Sequence, residues 1–132
     1  MKNLLSFFGI AFMLCIFSSC SKDAKNNSST NDSNLVGKWQ YEESVGIRNN
    51  NYYILTFNAN GTGSEVIIDE DIVTKIQTTE SNTPFTWTTK ASEGKLNLVV
   101  NGTAQPTTYF FVGNNNQLRI AAYSTATPFI KQ

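Results

Sequence analysis

The groups in this chain that could do chemistry are carboxylates, tyrosines, tryptophans and two cysteines, because the sequence contains no histidine. That removes the commonest general base and the commonest metal ligand. Triads of the Ser-His-Asp or Cys-His kind are excluded with it. Paired acids come next, since two carboxylates can perform hydrolysis. Glu42 and Glu43 are neighbours in an extended segment, so they point to opposite faces and cannot cooperate. Asp69-Glu70-Asp71 falls at an expected turn; it lacks the spaced Asp-x-Asp-x-Asp-Gly pattern of a calcium loop and reads as a solvated charge cluster. Glu65 and Glu80 stand alone and are expected to be exposed. No catalytic residue and no metal ligand is assigned. Nucleotide binding has no support, because no Gly-x-x-x-x-Gly-Lys-Ser/Thr loop is present. Ten Lys and Arg balance ten Asp and Glu, and the basic residues are scattered singly, so nucleic acid is not an expected partner.

Aromatic side chains are the remaining candidates. Tyr52-Tyr53 and Phe110-Phe111 are informative doublets: in a strand, one member of each must face away from the other. Inward-facing Tyr53, Phe57, Phe85, Trp87, Leu98 and Phe111 are the candidate lining of a site for a small apolar ligand. The other reading of the same residues is packing alone, since a domain this small needs about half of its large rings, each burying ~150–250 Å², for its core.

The elements that must hold these side chains are strands. With 132 residues the chain has room for one small domain. From residue 35 onward no helical period stands out. Thr, Val, Ile, Tyr and Phe recur in short runs between Asn and Gly, which predicts strands at 35–42, 52–58, 63–69, 72–79, 85–90, 95–100, 107–112 and 117–123. Asn60-Gly61 and Asn101-Gly102 are hairpin dipeptides that tolerate the positive φ of type I′ turns. Phe85-Thr86-Trp87-Thr88 and Leu96-Asn97-Leu98 alternate apolar and polar, as strands with one wet face do. Short hairpins favour up-and-down order, and closing the meander removes both sheet edges. The expected fold is all-β: a small antiparallel up-and-down eight-stranded barrel.

The first nineteen residues have a different character. Lys2 is followed by an apolar run from Leu4 to Phe17, a signal-peptide pattern too short to span a bilayer as a helix. Phe17-Ser18-Ser19-Cys20 closes it and resembles the lipobox of bacterial lipoproteins, with Phe17 replacing the usual leucine. The resemblance implies cleavage before Cys20 and a covalent lipid on that residue (a thioether diacylglycerol, with palmitate-type acylation of the freed amine). No other cofactor is expected. Several chains are needed because each buried methylene contributes only about 0.8 kcal/mol. Cys15 leaves with the signal, so the mature fold has no disulfide. No Asp follows Cys20 directly, and the Ser21-Lys22-Asp23 start resembles a surface-export signal. Both imply the outer membrane, on its periplasmic or its exposed face. Residues 20–34 are almost wholly polar and read as a flexible tether of about 20 Å root-mean-square span.

Leu35-Val36-Gly37-Lys38-Trp39 opens the domain, followed by Thr56-Phe57-Asn58-Ala59-Asn60-Gly61-Thr62, then Phe85-Thr86-Trp87, then Lys95-Leu96-Asn97-Leu98. This order resembles the short bacterial lipocalin-like domains of the calycin group. The resemblance implies a structural role for Gly37 and Trp39, with Arg119 stacked on the indole at the closed end. It also implies a membrane-anchored, non-enzymatic monomer that holds a small apolar ligand. The alternative is a filled-core barrel acting on an envelope protein as an interaction or inhibitor module.

Overall fold

The computed structural model describes residues 31–123 and 127–132. The segment expected to be a signal (1–19), Cys20 and the expected tether up to residue 30 lie outside the described residues. Eight strands form among those described: β1 (Gly37–Val45), β2 (Asn49–Phe57), β3 (Thr62–Asp71), β4 (Gln77–Lys90), β5 (Lys95–Val100), β6 (Thr103–Val112), β7 (Gln117–Ile120) and β8 (Phe129–Lys131). Each pairs antiparallel with the next, and β8 returns to β1 through Trp39↔Lys131 and Gln40↔Ile130 to close the barrel.

The strand count matches the sequence expectation by a different route. Residues 77–79 of the segment read as a strand at 72–79, and all of 85–90, belong to one strand, β4, which runs through a register shift opposite Ile67/Ile68 and leaves Glu80 unpaired in the ladder. Residues 72–76 form the turn instead. Asp71 enforces it: its Oδ1 accepts the N–H groups of Val73 and Thr74, both at 2.8 Å. The Asp69-Glu70-Asp71 triplet is therefore the end of β3 and not a turn. At the other terminus the expected strand 117–123 stops at Ile120, turns through a 3-10 segment (Ala121–Tyr123), and the chain closes the barrel with β8.

Turn chemistry explains the tight connections. Asn101-Gly102 has positive φ at both residues, 49° and 78°, as a type I′ hairpin requires. At Asn60-Gly61 only Gly61 is left-handed, with φ 81°, and Asn58 closes the loop by donating its N–H to Thr62 O at 2.8 Å.

The two ends of the barrel differ in construction. At the base, Asn31–Asn34 are bonded to the barrel although the sequence reads as tether up to residue 34. Asp32 N–H donates to Thr89 Oγ1 at 2.8 Å, and Tyr109 OH donates to Asp32 Oδ2 at 2.7 Å. At the mouth, β7 and β8 are short, so β1 to β4 rise beyond the closed ring as a four-stranded sheet.

Candidate functional site

The interior is packed with its own side chains. Leu35, Trp39, Leu55, Phe57, Trp87, Leu96, Leu118 and Phe129 are all at most 1% exposed. Phe57 stacks edge-on against Trp87 at 5.2 Å between centroids and tilts against Phe85 at 5.4 Å. Trp39 meets Phe111 at 5.8 Å, and Phe111 meets Tyr109 edge-on at 5.7 Å. Both indole N–H groups are satisfied by backbone: Trp39 donates to Leu35 O at 2.8 Å and Trp87 to Thr62 O at 3.0 Å. Gly63 makes this packing possible. A Cβ there would stand 2.2 Å from the Phe85 ring and 2.4 Å from Thr56 O, so any side chain would force the ring and the neighbouring strand to shift.

The candidate ligand residues divide accordingly. Phe57, Phe85, Trp87 and Leu98 are core; Tyr53 and Phe111 are inward and partly buried against it. Their doublet partners face out, Phe110 being 57% exposed. The six are brought together as one packed cluster.

The cation over the Trp39 ring is Lys131, with Nζ at 5.1 Å from the centroid, and not Arg119. Arg119 pairs across the ladder with the outward Phe110, between the buried Leu118 and Ile120, and so lies on the opposite face of its strand. Lys131 reaches the indole because Gly37, at φ 135°, presents no side chain: a Cβ there would meet Lys131 Cε at 3.2 Å. The same ammonium donates to Asn34 O at 3.2 Å. Strand pairing decides which cation is available, since Lys131 is the register partner of Trp39.

Two carboxylates differ from their sequence expectation. Glu65 is opposite Leu55, on the inner face, and accepts a 2.7 Å hydrogen bond from Tyr123 OH. Burial, reinforced by that carboxylate, pushes the Tyr123 phenol well above its ordinary value near 10. Tyr123 also packs edge-on against Phe129 at 5.3 Å and so fills the upper interior. The Gly63-x-Glu65-x-Ile67 alternation carried the signal that Glu65 shares a face with Gly63. Glu70, expected to be solvated, is 7% exposed. Gln77 Nε2 at 2.6 Å and Lys75 Nζ at 3.2 Å hold it, and these bonds keep its carboxyl below the usual range. Among the described residues no group of His, Cys, Asp and Glu converges on a metal position.

Open concavity lies outside the barrel. A groove of about 750 Å³ crosses β4, β5 and β6 next to the 3-10 turn at 121–123. Thr88, Leu96, Pro106, Thr107, Ala121 and Ala122 line it, together with Lys90 and Lys95. Its size lies in the range of small-molecule sites. Both lysines are already engaged with Glu93, whose carboxyl they hold below its ordinary value. None of the six inward candidates borders this groove.

The three most exposed of the large apolar side chains described stand at the mouth, with Val45 beside them. Ile47 in the β1–β2 turn, Val73 and Ile76 in the β3–β4 turn, and Val45 at the end of β1 stand in solvent. No family model matches the chain, and no curated protein or solved structure matches it either.

Proposed function

We propose that this chain is a lipid-tethered, non-enzymatic interaction module of the cell envelope, a lipocalin-like barrel whose interior is structural and whose contacts are made from outside. The observation that carries this reading is the interlocked set of Trp39, Phe57, Phe85, Trp87 and Leu98, each at most 5% exposed. A guest in the barrel would have to displace them. Removing a large core ring costs about 3–5 kcal/mol, more than a small apolar guest recovers from a few buried methylenes. The lipid on Cys20 would fix the module at the outer membrane. The ordered entry at Asn31 to Asn34 supports an attachment at the base.

A second reading keeps the small apolar ligand but moves it to the outer groove, whose volume and methyl-rich walls favour it. One titration separates the two. A dansyl-labelled fatty acid, excited by energy transfer from the two tryptophans, is expected to give no saturable signal. Saturable binding abolished by Ala122→Trp would favour the groove. Saturable binding that survives Ala122→Trp would place a guest inside and overturn the filled-barrel reading. For the tether, Cys20→Ser is expected to release the protein into the soluble fraction, and persistent membrane association would contradict the lipid.

A further inference from the structure

Resting on the interaction-module reading, we infer that the partner-binding surface is the mouth end, and that it takes a protein surface with an apolar depression rimmed by lysine and arginine. Ile47, Val73, Ile76 and Val45 are 97%, 70%, 64% and 47% exposed. Apolar groups gathered in this way at one end of a small domain mark a contact site. The two turns that carry them are built as one rigid prong. Ile72 N–H donates to Arg48 O at 2.7 Å, joining the β3–β4 turn to the β1–β2 turn. Asp71 N–H donates to Ile76 O at 3.0 Å and Lys75 N–H to Asp71 O at 2.8 Å. The Asp71 carboxylate, which caps the turn, also meets Arg48 at 3.8 Å. The tips are thus ordered before any partner arrives, which lowers the entropy cost of binding.

Charge selects the occupant. Around the prong the exposed carboxylates are Glu42, Glu43 and Glu80, with Asp69 and Asp71 half-buried beside them, against Arg48 and Lys75. Those two cations are already paired with Asp71 and Glu70. The base reverses the balance, with Lys38, Lys90, Lys95 and Lys131 against Asp32 and Glu93. An anionic bilayer would be repelled by the acidic rim, and so would the same end of a second copy. A basic rim around an apolar depression satisfies both features of the prong. The entry of the chain at the base, beside Asn31, leaves the mouth directed away from the tether.

The probe is a fluorescein-labelled peptide of leucine and lysine, with a leucine–glutamate peptide of the same pattern as control, read by anisotropy against the full chain carrying Cys20→Ser. The leucine–lysine peptide is expected to bind and the control not to. Ile47→Ser/Ile76→Ser is expected to weaken binding about tenfold, and added salt to weaken it further. Both substitutions sit at exposed tips, so circular dichroism should be unchanged. Phe110→Ser, on the far outer face, should bind as the parent does. Equal binding by the double variant, or by the acidic peptide, overturns the assignment. Loss in Phe110→Ser instead would move the contact face while leaving the module reading intact. Flotation with phosphatidylglycerol vesicles, or a dimer in sedimentation, would overturn it if either disappears in the double variant.

Discussion

The base and the mouth of this barrel share strands β1 to β4, yet they solve opposite problems. At the base, Gly37, Gly63 and Leu35 let tryptophans and phenylalanines interlock, and backbone carbonyls satisfy both indoles. At the mouth, the strands outrun the core and end in turns that display isoleucine and valine while carboxylates surround them. Stability is concentrated in one end and available surface in the other. Net charge concealed this division. The formal balance of zero belongs to the whole chain and hides a base richer in lysine and a mouth richer in carboxylates; only the strand directions show which charge lies where.

The comparison can be broken most severely at the base. Trp87→Ala is expected to cost about 3–5 kcal/mol in chemical denaturation, because its ring packs on Phe57 and its N–H holds Thr62 O. The matched change at the mouth, Ile47→Ser, should stay within about 0.5 kcal/mol of the parent, as exposed positions do. A similar loss at both would erase the distinction. Next in size is Gly63→Ala, where overpacking against Phe85 and Thr56 O should cost about 1–3 kcal/mol, read from the same curves.

Tyr123→Phe comes third and probes the boundary between the two ends. It strands the inward Glu65 carboxylate, for a cost of about 1–3 kcal/mol. Its pH dependence gives the sign. Tyr123 and Tyr109 are both raised above their ordinary value near 10, so the folded state retains protons that the unfolded chain has released. Their contribution is complete below about pH 10 and is lost as pH rises beyond it. Thermal melts of the parent should hold steady from neutrality to that point and then fall, and Tyr123→Phe should fall less steeply. Glu70, Asp71 and Glu93 act in the other direction. Their lowered values give stability that is present above the ordinary carboxylate range and lost on acidification through it. The smallest effect expected is Lys131→Met, about 0.5–1 kcal/mol from the cation over Trp39. Arg119→Met should leave that contact untouched.

Period-two patterning was enough to expect a closed eight-stranded meander, because Phe85-Thr86-Trp87 and Leu96-Asn97-Leu98 each declare an inner and an outer face. It was not enough to place every strand. Ile72 and Ile76 look like strand residues, but the Asp71 carboxylate captures two backbone N–H groups and makes a turn of the segment between them. The identity of the cation over Trp39 depended on a three-residue strand too short to register as a pattern. Glu65 looked like an isolated surface acid because its partner, Tyr123, arrives from a loop that no local signal connects to it. The inward aromatics were legible as a set. Whether they enclosed space or filled it depends on ring-to-ring distances, which only coordinates supply.

The most direct test of the division of labour is site-specific photo-crosslinking of the full chain in the cells that make it, with the reactive side chain placed at position 47 in the mouth or at position 38 on the base. Adducts to a protein from position 47, removed by Ile76→Ser, with none from position 38, are the predicted result. Protein adducts from position 38 alone, or equally from both, would contradict the account.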